Sequence, residues 1–188
     1  MLADPQADCV RELKPDALVD AILAKKNLGT RITDAPVVVA VGPGFTAGAD
    51  CHAAVETMRG HTLGRALYHG SPLPNTNIPG LIGGFAGERV LRAPCDGIFT
   101  AVHRIGDTVE EGETIGFVEG QPMKCTISGV LRGVLDDGVS VKKGMKSGDV
   151  DPRCKPEYCT TISDKALAVG GGVVEAVLYL SAKAQGRR

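Results

Sequence analysis

The chain has no tryptophan, and aromatic residues make up only 4% of its 188 positions, so an interior has to be built from aliphatic side chains. Charge of one sign is missing too: 21 lysines and arginines stand against 22 aspartates and glutamates, a net charge of −1. Such a balance gives no one-signed field of the kind that nucleic acid or an anionic membrane requires, and nucleic acid is set aside as a partner. No segment reads as approaching the ~20 apolar residues of a bilayer crossing, so no membrane association is expected. The opening MLADPQADCVRELKPD carries early acidic residues and no continuous apolar core, unlike a signal peptide. No CxxC pair occurs: Cys9, Cys51, Cys95, Cys125, Cys154 and Cys159 are scattered, and Cys154 and Cys159 are too far apart for that zinc spacing. Without an export signal, they read as reduced thiols of a cytoplasmic protein.

KPDALVDAILAKKNLG predicts a helix, with Pro15 in its first turn, Leu18, Ile22 and Leu23 on one side and Gly29 as its stop. A short strand is expected near Arg31 to Thr33. The run VVVAV at residues 37–41 is apolar without alternation, as in a strand buried on both faces of a parallel sheet. After a glycine-rich turn, a second helix is predicted from Asp50, as N-cap, to Arg59, with Gly60 ending it. LGRALYHG is the next strand candidate. Residues 71–87 hold three prolines and four glycines with no period, which predicts a long connector and a domain boundary near Arg89.

An internal repeat follows. Aligning GIFTAVHRIGDTVEEGETIGFV with GVLRGVLDDGVSVKKGMKSGDV superposes Gly97 on Gly129, Val102 on Val134, Gly106 on Gly138, Val109 on Val141, Gly112 on Gly144, Gly116 on Gly148 and Val118 on Val150, an offset of 32. Each half is a β unit too thin to bury its apolar face alone, so the halves are expected to pack about a pseudo-twofold axis. This resembles the barrel-sandwich hybrid of biotinyl and lipoyl domains. Lys124, in QPMKC between the halves, reads as an exposed side chain on a connecting strand rather than a modified carrier lysine, because only residues 125–128 separate it from Gly129.

On the predicted helix of residues 50–59, His52, Glu56 and Arg59 fall in one stripe, with Cys51, Val55 and Met58 beside it. His61 and Arg65 come next, and the turn with Gly42, Gly44, Thr46, Gly48 and Asp50 lies upstream. A glycine turn at the carboxyl end of a parallel strand is where open α/β folds place ligands. The same spacing also describes a solvated helix face with weak ion pairs. Cys51, His52, Glu56 and His61 include metal-ligand types, but Cys51 and His52 would point to different sides of a helix, so no metal site is assigned. Gly42, Gly44 and Gly48 spell GxGxxxG, one residue longer than the dinucleotide fingerprint, and His69 stands where an acidic residue would hold a ribose. Farther on, Asp149, Asp151 and Arg153 flank a proline turn, and Ser163 and Asp164 start a helix that contains Gly170, Gly171 and Gly172. Three interior glycines suggest a break or a close backbone approach, and the close approach is favoured.

VGPGFTAGADCHAAVETMRGHTLGRALYHGSPLPNTNIPG, ERVLRAP, IGDTVEEGE, GVLRGVL, GDVDPR and ISDKALAVGGGVVEAVL, in this order across almost the whole chain, resemble the accessory protein family of selenium-dependent molybdenum hydroxylases. The resemblance implies a bacterial or archaeal cytoplasmic protein that serves molybdenum cofactor maturation or operation, with the hydroxylase or its maturation machinery as partner. Other family members carry a further N-terminal α/β portion, whereas this chain opens at MLADPQADC, so the sequence is naturally short, begins late, or relies on another chain. Carried onto matching positions, the family motif supports Gly42, Gly44, Thr46, Gly48, Asp50, His52, Glu56, Arg59 and His61 as a candidate site, with Asp149, Asp151, Arg153 and Lys165 of second rank.

The expected fold class is α+β: an α/β unit with a short, mainly parallel sheet (residues 1–70), a connector (71–88), a barrel-sandwich-like β domain (89–150) and a C-terminal helical segment packing back (151–188). The expected function is an accessory or maturation factor that binds an anionic cofactor or intermediate whose identity the sequence does not give. Arg59 and Arg65 would hold its negative groups, and His52 with Glu56 would move protons. A small-molecule enzyme using His52, Glu56 and His61, or a scaffold presenting the lipoyl-like domain, are the alternatives; self-association is open.

Overall fold

The computed structural model describes residues 2–76 and 78–186. The chain is mixed α/β with several sheets and a long C-terminal helix, and it divides into two compact units, Met1–Thr76 with Ser163–Arg188, and Asn77–Ile162.

The first unit holds α1 (Asp8–Leu13), β1 (Ala17–Asp20), β2 (Val37–Val41), β3 (Ala53–Val55), β4 (Ala66–Leu67) and, from the chain end, α2 (Asp164–Ala184). Its sheet runs β1-β2-β3-β4, with the first three strands parallel and β4 antiparallel to β3. All of β2 is buried. Val37 and Val39 pack with Ala53, Val55 and Ala176 of α2, while Val38 and Ala40 pack on the other face with Phe45, Ala47, Cys51 and Ala54. Two covered faces explain why VVVAV lacks alternation.

Both short predicted helices are corrected here. Within KPDALVDAILAKKNLG, Ala17–Asp20 is a strand and residues 21–24 are irregular. Ile22, Leu23 and Leu28 stay exposed, so no apolar helix face is buried; pairing with β2 overrides helix propensity. The second helix, expected from Asp50 to Arg59, is replaced by β3, whose three residues are fully buried between β2 and β4. Ala53 and Val55 face α2 whereas Ala54 faces the opposite cluster, a period of two and not of 3.6. The strand expected near residues 31–33 is a turn.

α2 is one unbroken helix through its three glycines, capped by Ser163, whose Oγ accepts from the Ala166 amide at 3.2 Å. Gly170 and Gly171 face open space, but a Cβ on Gly172 would overlap the Gly64 carbonyl oxygen and touch Val55. The close approach is therefore to the β3–β4 connection. Contrary to the expectation from sequence, Pro156–Ala184 is long and apolar enough, by length and composition, to cross a membrane. In the structure one face of α2 covers the sheet through Val169, Val173, Ala176, Val177 and Leu180.

The second unit holds β5 (Val90–Arg92), β6 (Gly97–Ala101), β7 (Thr108–Val109), β8 (Thr114–Val118), β9 (Gln121–Lys124), β10 (Gly129–Val134), β11 (Ser140–Val141) and β12 (Lys146–Asp151). Its sheets are ordered β5-β12-β10-β7 and β11-β6-β8-β9. Shifting β5 to β8 by the repeat offset gives β9 to β12, and the exchange converts one sheet order into the other. Core positions obey the same exchange: Leu91 with Met123, Phe99 with Leu131, Val109 with Val141, Val118 with Val150. The turns lock reciprocally. Gly106 N–H donates to Leu131 and Gly138 N–H to Phe99, while Gly112 N–H donates to Cys125 and Gly144 N–H to Ala93. All four glycines have positive φ, which a side chain would disfavour. Each half thus closes on strands of the other.

A lattice of ion pairs lies along β12. Arg89, almost wholly buried, clasps Asp149 through Nη2 at 2.9 and 3.1 Å and donates to the Gly80 carbonyl at 3.0 Å. Asp151, equally buried, accepts from Arg153 Nε and Nη2 at 2.9 and 2.6 Å and from Arg132 at 3.3 Å. Arg153 also lies over the Tyr158 ring, 4.4 Å from its centroid.

Gly172→Ala should lower stability by about 2 kcal/mol because the clash is with backbone, whereas Gly171→Ala, unobstructed in mid-helix, should add about 1 kcal/mol; paired urea melts read both. Arg153 holds the Asp151 carboxyl below its ordinary value, outweighing the upward push of burial. A carboxylate with a folded pKa below its unfolded one adds stability that is complete above the unfolded value and vanishes as pH falls through the folded one. Protection of the Phe99 and Leu131 amides against hydrogen exchange should therefore fall as pH drops below about 4, less steeply in Asp151→Asn.

Candidate site at the strand carboxyl ends

The segments leaving β1, β2 and β3 all emerge at the carboxyl ends of parallel strands, and the first turn of α2 joins them. After β1, the buried Asp20 side chain organises a return loop by accepting from Ile22 N at 3.1 Å and Thr30 Oγ1 at 2.6 Å. That loop presses the Lys26 backbone against Gly44, where no Cβ would fit. After β2, Gly42 donates to the Val55 carbonyl at 2.9 Å and leaves room for Thr57, whose Oγ1 would be 3.1 Å from a Cβ at Gly42. Both glycines have positive φ, so the turn needs glycine for conformation and for space.

Glu56, the first residue beyond β3, is only 3% exposed. Its Oε1 accepts from Met58 N at 2.7 Å and its Oε2 from Leu73 N at 2.8 Å. The carboxylate thus ties two loops together, and both oxygens are engaged by main-chain donors. Arg59 reaches α2 and binds Asp164 through two hydrogen bonds, of 2.7 and 3.0 Å. Beside Asp164, Lys165 is half-buried, and its pKa is lowered first by burial, then by Lys25 and Arg59, against an opposing pull from Glu56. The charges of Lys25 and Arg59 thus both bear on Lys165.

The stripe expected of His52, Glu56 and Arg59 does not exist. On a strand, four residues span roughly 13 Å, so His52 sits well below Glu56. The His52 N–H donates to the Val38 carbonyl at 2.8 Å and its Nδ1 accepts from Val38 N at 3.0 Å, which puts the ring proton on Nε2 and makes the side chain a cap on the β2–β3 ladder. His61 and Arg65 are exposed around the Gly60–Gly64 turn, where Arg65 contributes its carbonyl to the Glu56 amide at 3.0 Å. Thr46, Gly48 and Asp50 belong to the crossover from β2 to β3. Asp50, expected to cap a helix, accepts from Thr46 N at 2.8 Å, and Thr46 Oγ1 lies 2.9 Å from Ser71 Oγ. Asp149, Asp151 and Arg153 belong to the second unit.

Of the sequence-based candidates, Gly42, Gly44, Glu56, Arg59 and Lys165 come together, whereas His52, Thr46, Gly48 and Asp50 lie on the approach to β3. Lys25 and Thr57 were missed. Lys25 was hidden by reading its segment as helix; the clue was the pair Lys25–Lys26 directly behind a short apolar run. Burial and the neighbouring Asp50 push the Cys51 thiol up to about 11, so it is not a nucleophile at neutral pH. Among the described residues, no three His, Cys, Asp or Glu side chains gather as a metal site.

No protein-family profile matches the chain. It is 49% identical over 180 residues to a protein of Escherichia coli strain K12 described as uncharacterized protein YqeB, a match covering 96% of this chain and 33% of that protein. The chain thus spans about a third of that relative's length. Among solved structures, an aspartoacylase family protein from Mesorhizobium loti shares 17% identity and a succinylglutamate desuccinylase/aspartoacylase from Rhodobacter sphaeroides 24%, each at a TM-score of 0.31 over 34% of this chain and 22% of the other. Likeness so partial transfers neither fold nor activity; what the chain is similar to along its length is the YqeB protein.

Proposed function

We propose that the protein is an accessory or maturation factor for selenium-dependent molybdenum hydroxylases, and that it holds an anionic cofactor or intermediate at the carboxyl ends of β1, β2 and β3. The observation that carries the binding half of this reading is that Arg59 meets the first turn of α2 beside Lys165, while the loop after β1 that bears Lys25 packs on Gly44, at the sheet end where open α/β folds bind ligands. The maturation half rests on the motif resemblance, with a hydroxylase or its maturation machinery as partner in the cytoplasm. Glu56 acts in this account by positioning the loops, because both its oxygens are engaged by amides. Proton transfer between His52 and Glu56 is not retained, since the two lie at different heights along β3.

In the same reading the second unit is a barrel-sandwich hybrid whose halves are related by a pseudo-twofold axis. Its β8–β9 hairpin turns at Glu119 and Gly120, both with positive φ as a two-residue type I′ turn needs. Lys124 lies on β9 opposite Thr114, away from that tip, which agrees with an ordinary surface lysine. The unit serves here as a surface presented to the partner rather than as a swinging-arm carrier.

Arg59→Ala combined with Lys165→Ala should lower activation of the hydroxylase in a reconstituted maturation assay by about tenfold or more, as loss of two charge-assisted contacts implies. The double variant should keep the far-ultraviolet spectrum of the parent. Unchanged activation by a folded double variant overturns the binding site and leaves the scaffold alternative.

A further inference from the structure

We infer that the outward side of α2 is the interface of a weak twofold homodimer, in which the α2 helices of two copies pair antiparallel along Leu167, Gly171, Val174 and Leu178. The interface is independent of the proposed function and would stand if the anion site failed.

The sheet takes only one side of α2, through Val169, Val173, Ala176, Val177 and Leu180. On the opposite side Leu167, Gly171, Val174 and Leu178 recur at intervals of four, three and four, the spacing of a coiled-coil seam. Leu167 is 70% exposed, Val174 56% and Leu178 66%. Between Lys165 and Lys183 the single charged residue is Glu175, at the margin of this seam. A helix side left to water carries charge, whereas a helix that is apolar all round is a buried one. Gly171 lies in the seam with nothing within 4 Å of where its Cβ would stand. Glycine at such a position weakens the helix, and no contact within the single chain calls for it.

A second copy fits this seam. Turned end for end about a twofold axis between residues 172 and 173, the order Leu–Gly–Val–Leu meets Leu–Val–Gly–Leu. Leu167 then lies opposite Leu178 of the partner subunit, and Val174 opposite the partner subunit's Gly171, where the missing side chain makes room for it. A parallel pair would instead set glycine against glycine and leave a void between the helices. Area sets the strength: the three exposed side chains and the glycine backbone between them offer on the order of 400 Å² per copy, about half of what a standard interface buries on each partner. The dimer is therefore weak and concentration-dependent. Lipid is the poorer occupant, because a membrane-spanning α2 would have to surrender Val169, Val173 and Ala176, which cover the sheet. Since α2 begins at the carboxyl ends of the parallel strands, antiparallel pairing sends the candidate sites of the two copies to opposite ends.

The test is sedimentation equilibrium of the whole protein from about 1 to about 200 μM, a range that spans weak association. The mass is expected to rise with concentration from the 19.5 kDa of one chain towards twice that value. Leu167→Glu and Leu178→Lys should each weaken association by about tenfold, because each sets a charge against a leucine. Combining them in one chain should restore it beyond either single variant, since antiparallel pairing brings each glutamate to a lysine, whereas parallel pairing would bring like charges together. All three variants lie on an exposed helix side, and thermal melting of each confirms the fold. A single-chain mass at every concentration overturns the inference and leaves the seam to a different protein. So does association unchanged in folded Leu167→Glu and Leu178→Lys, or a combined variant that associates no better than the single ones. Flotation of the parent protein with phosphatidylcholine vesicles, lost in Leu178→Lys, would assign the seam to lipid and overturn it as well.

Discussion

The first unit depends on the complete burial of β2. Five consecutive apolar residues without a polar face must be covered from both sides, and α2 packs over one face while the Phe45–Cys51 segment packs over the other. Parallel neighbours then follow, because β1 and β3 saturate the β2 hydrogen-bonding edges in the same direction. Parallel strands direct all their outgoing segments to one end. The gathering of Gly42, Gly44, Thr57, Arg59 and the Lys25 loop is thus a consequence of how β2 is buried, and α2 adds Asp164 and Lys165 because the same helix that covers the face begins at that end.

The second unit solves a different problem. Few aromatics and short strands give each half-repeat too little apolar surface for a core of its own. Interlocking the halves supplies it: the core is built from paired positions such as Phe99 with Leu131 and Val118 with Val150, and each turn glycine is tied to a strand of the other half. Arg89, Asp149, Asp151 and Arg153 add a polar frame beside that core, consistent with conformational specificity more than with large stabilisation.

Two distinct uses of glycine stand side by side in the first unit. At Gly42 and Gly44 it combines positive φ with contact against Thr57 and Lys26; at Gly172 it lets a helix touch backbone; at Gly170 and Gly171 nothing in the structure requires it. The sequence run of three glycines gives no sign of which one matters. Only the position of Gly64 opposite Gly172 separates them.

The 32-residue repeat, the doubly buried strand and the long terminal helix were legible in the sequence, because each leaves a pattern that depends on local periodicity or on recurrence within the chain. The segments 15–29 and 50–59 were not, since their apolar spacing fits a helix and only pairing with β2 makes them β1 and β3. That single difference dissolved the stripe of His52, Glu56 and Arg59, laid the loop after β1 on Gly44 and joined Arg59 to the first turn of α2 instead. Sequence alone determined which residues could carry charge and where the chain must turn. Which of those charges meet was decided by tertiary structure, because a strand separates neighbours by over three ångströms per residue while a sheet brings together chain segments that lie far apart in sequence.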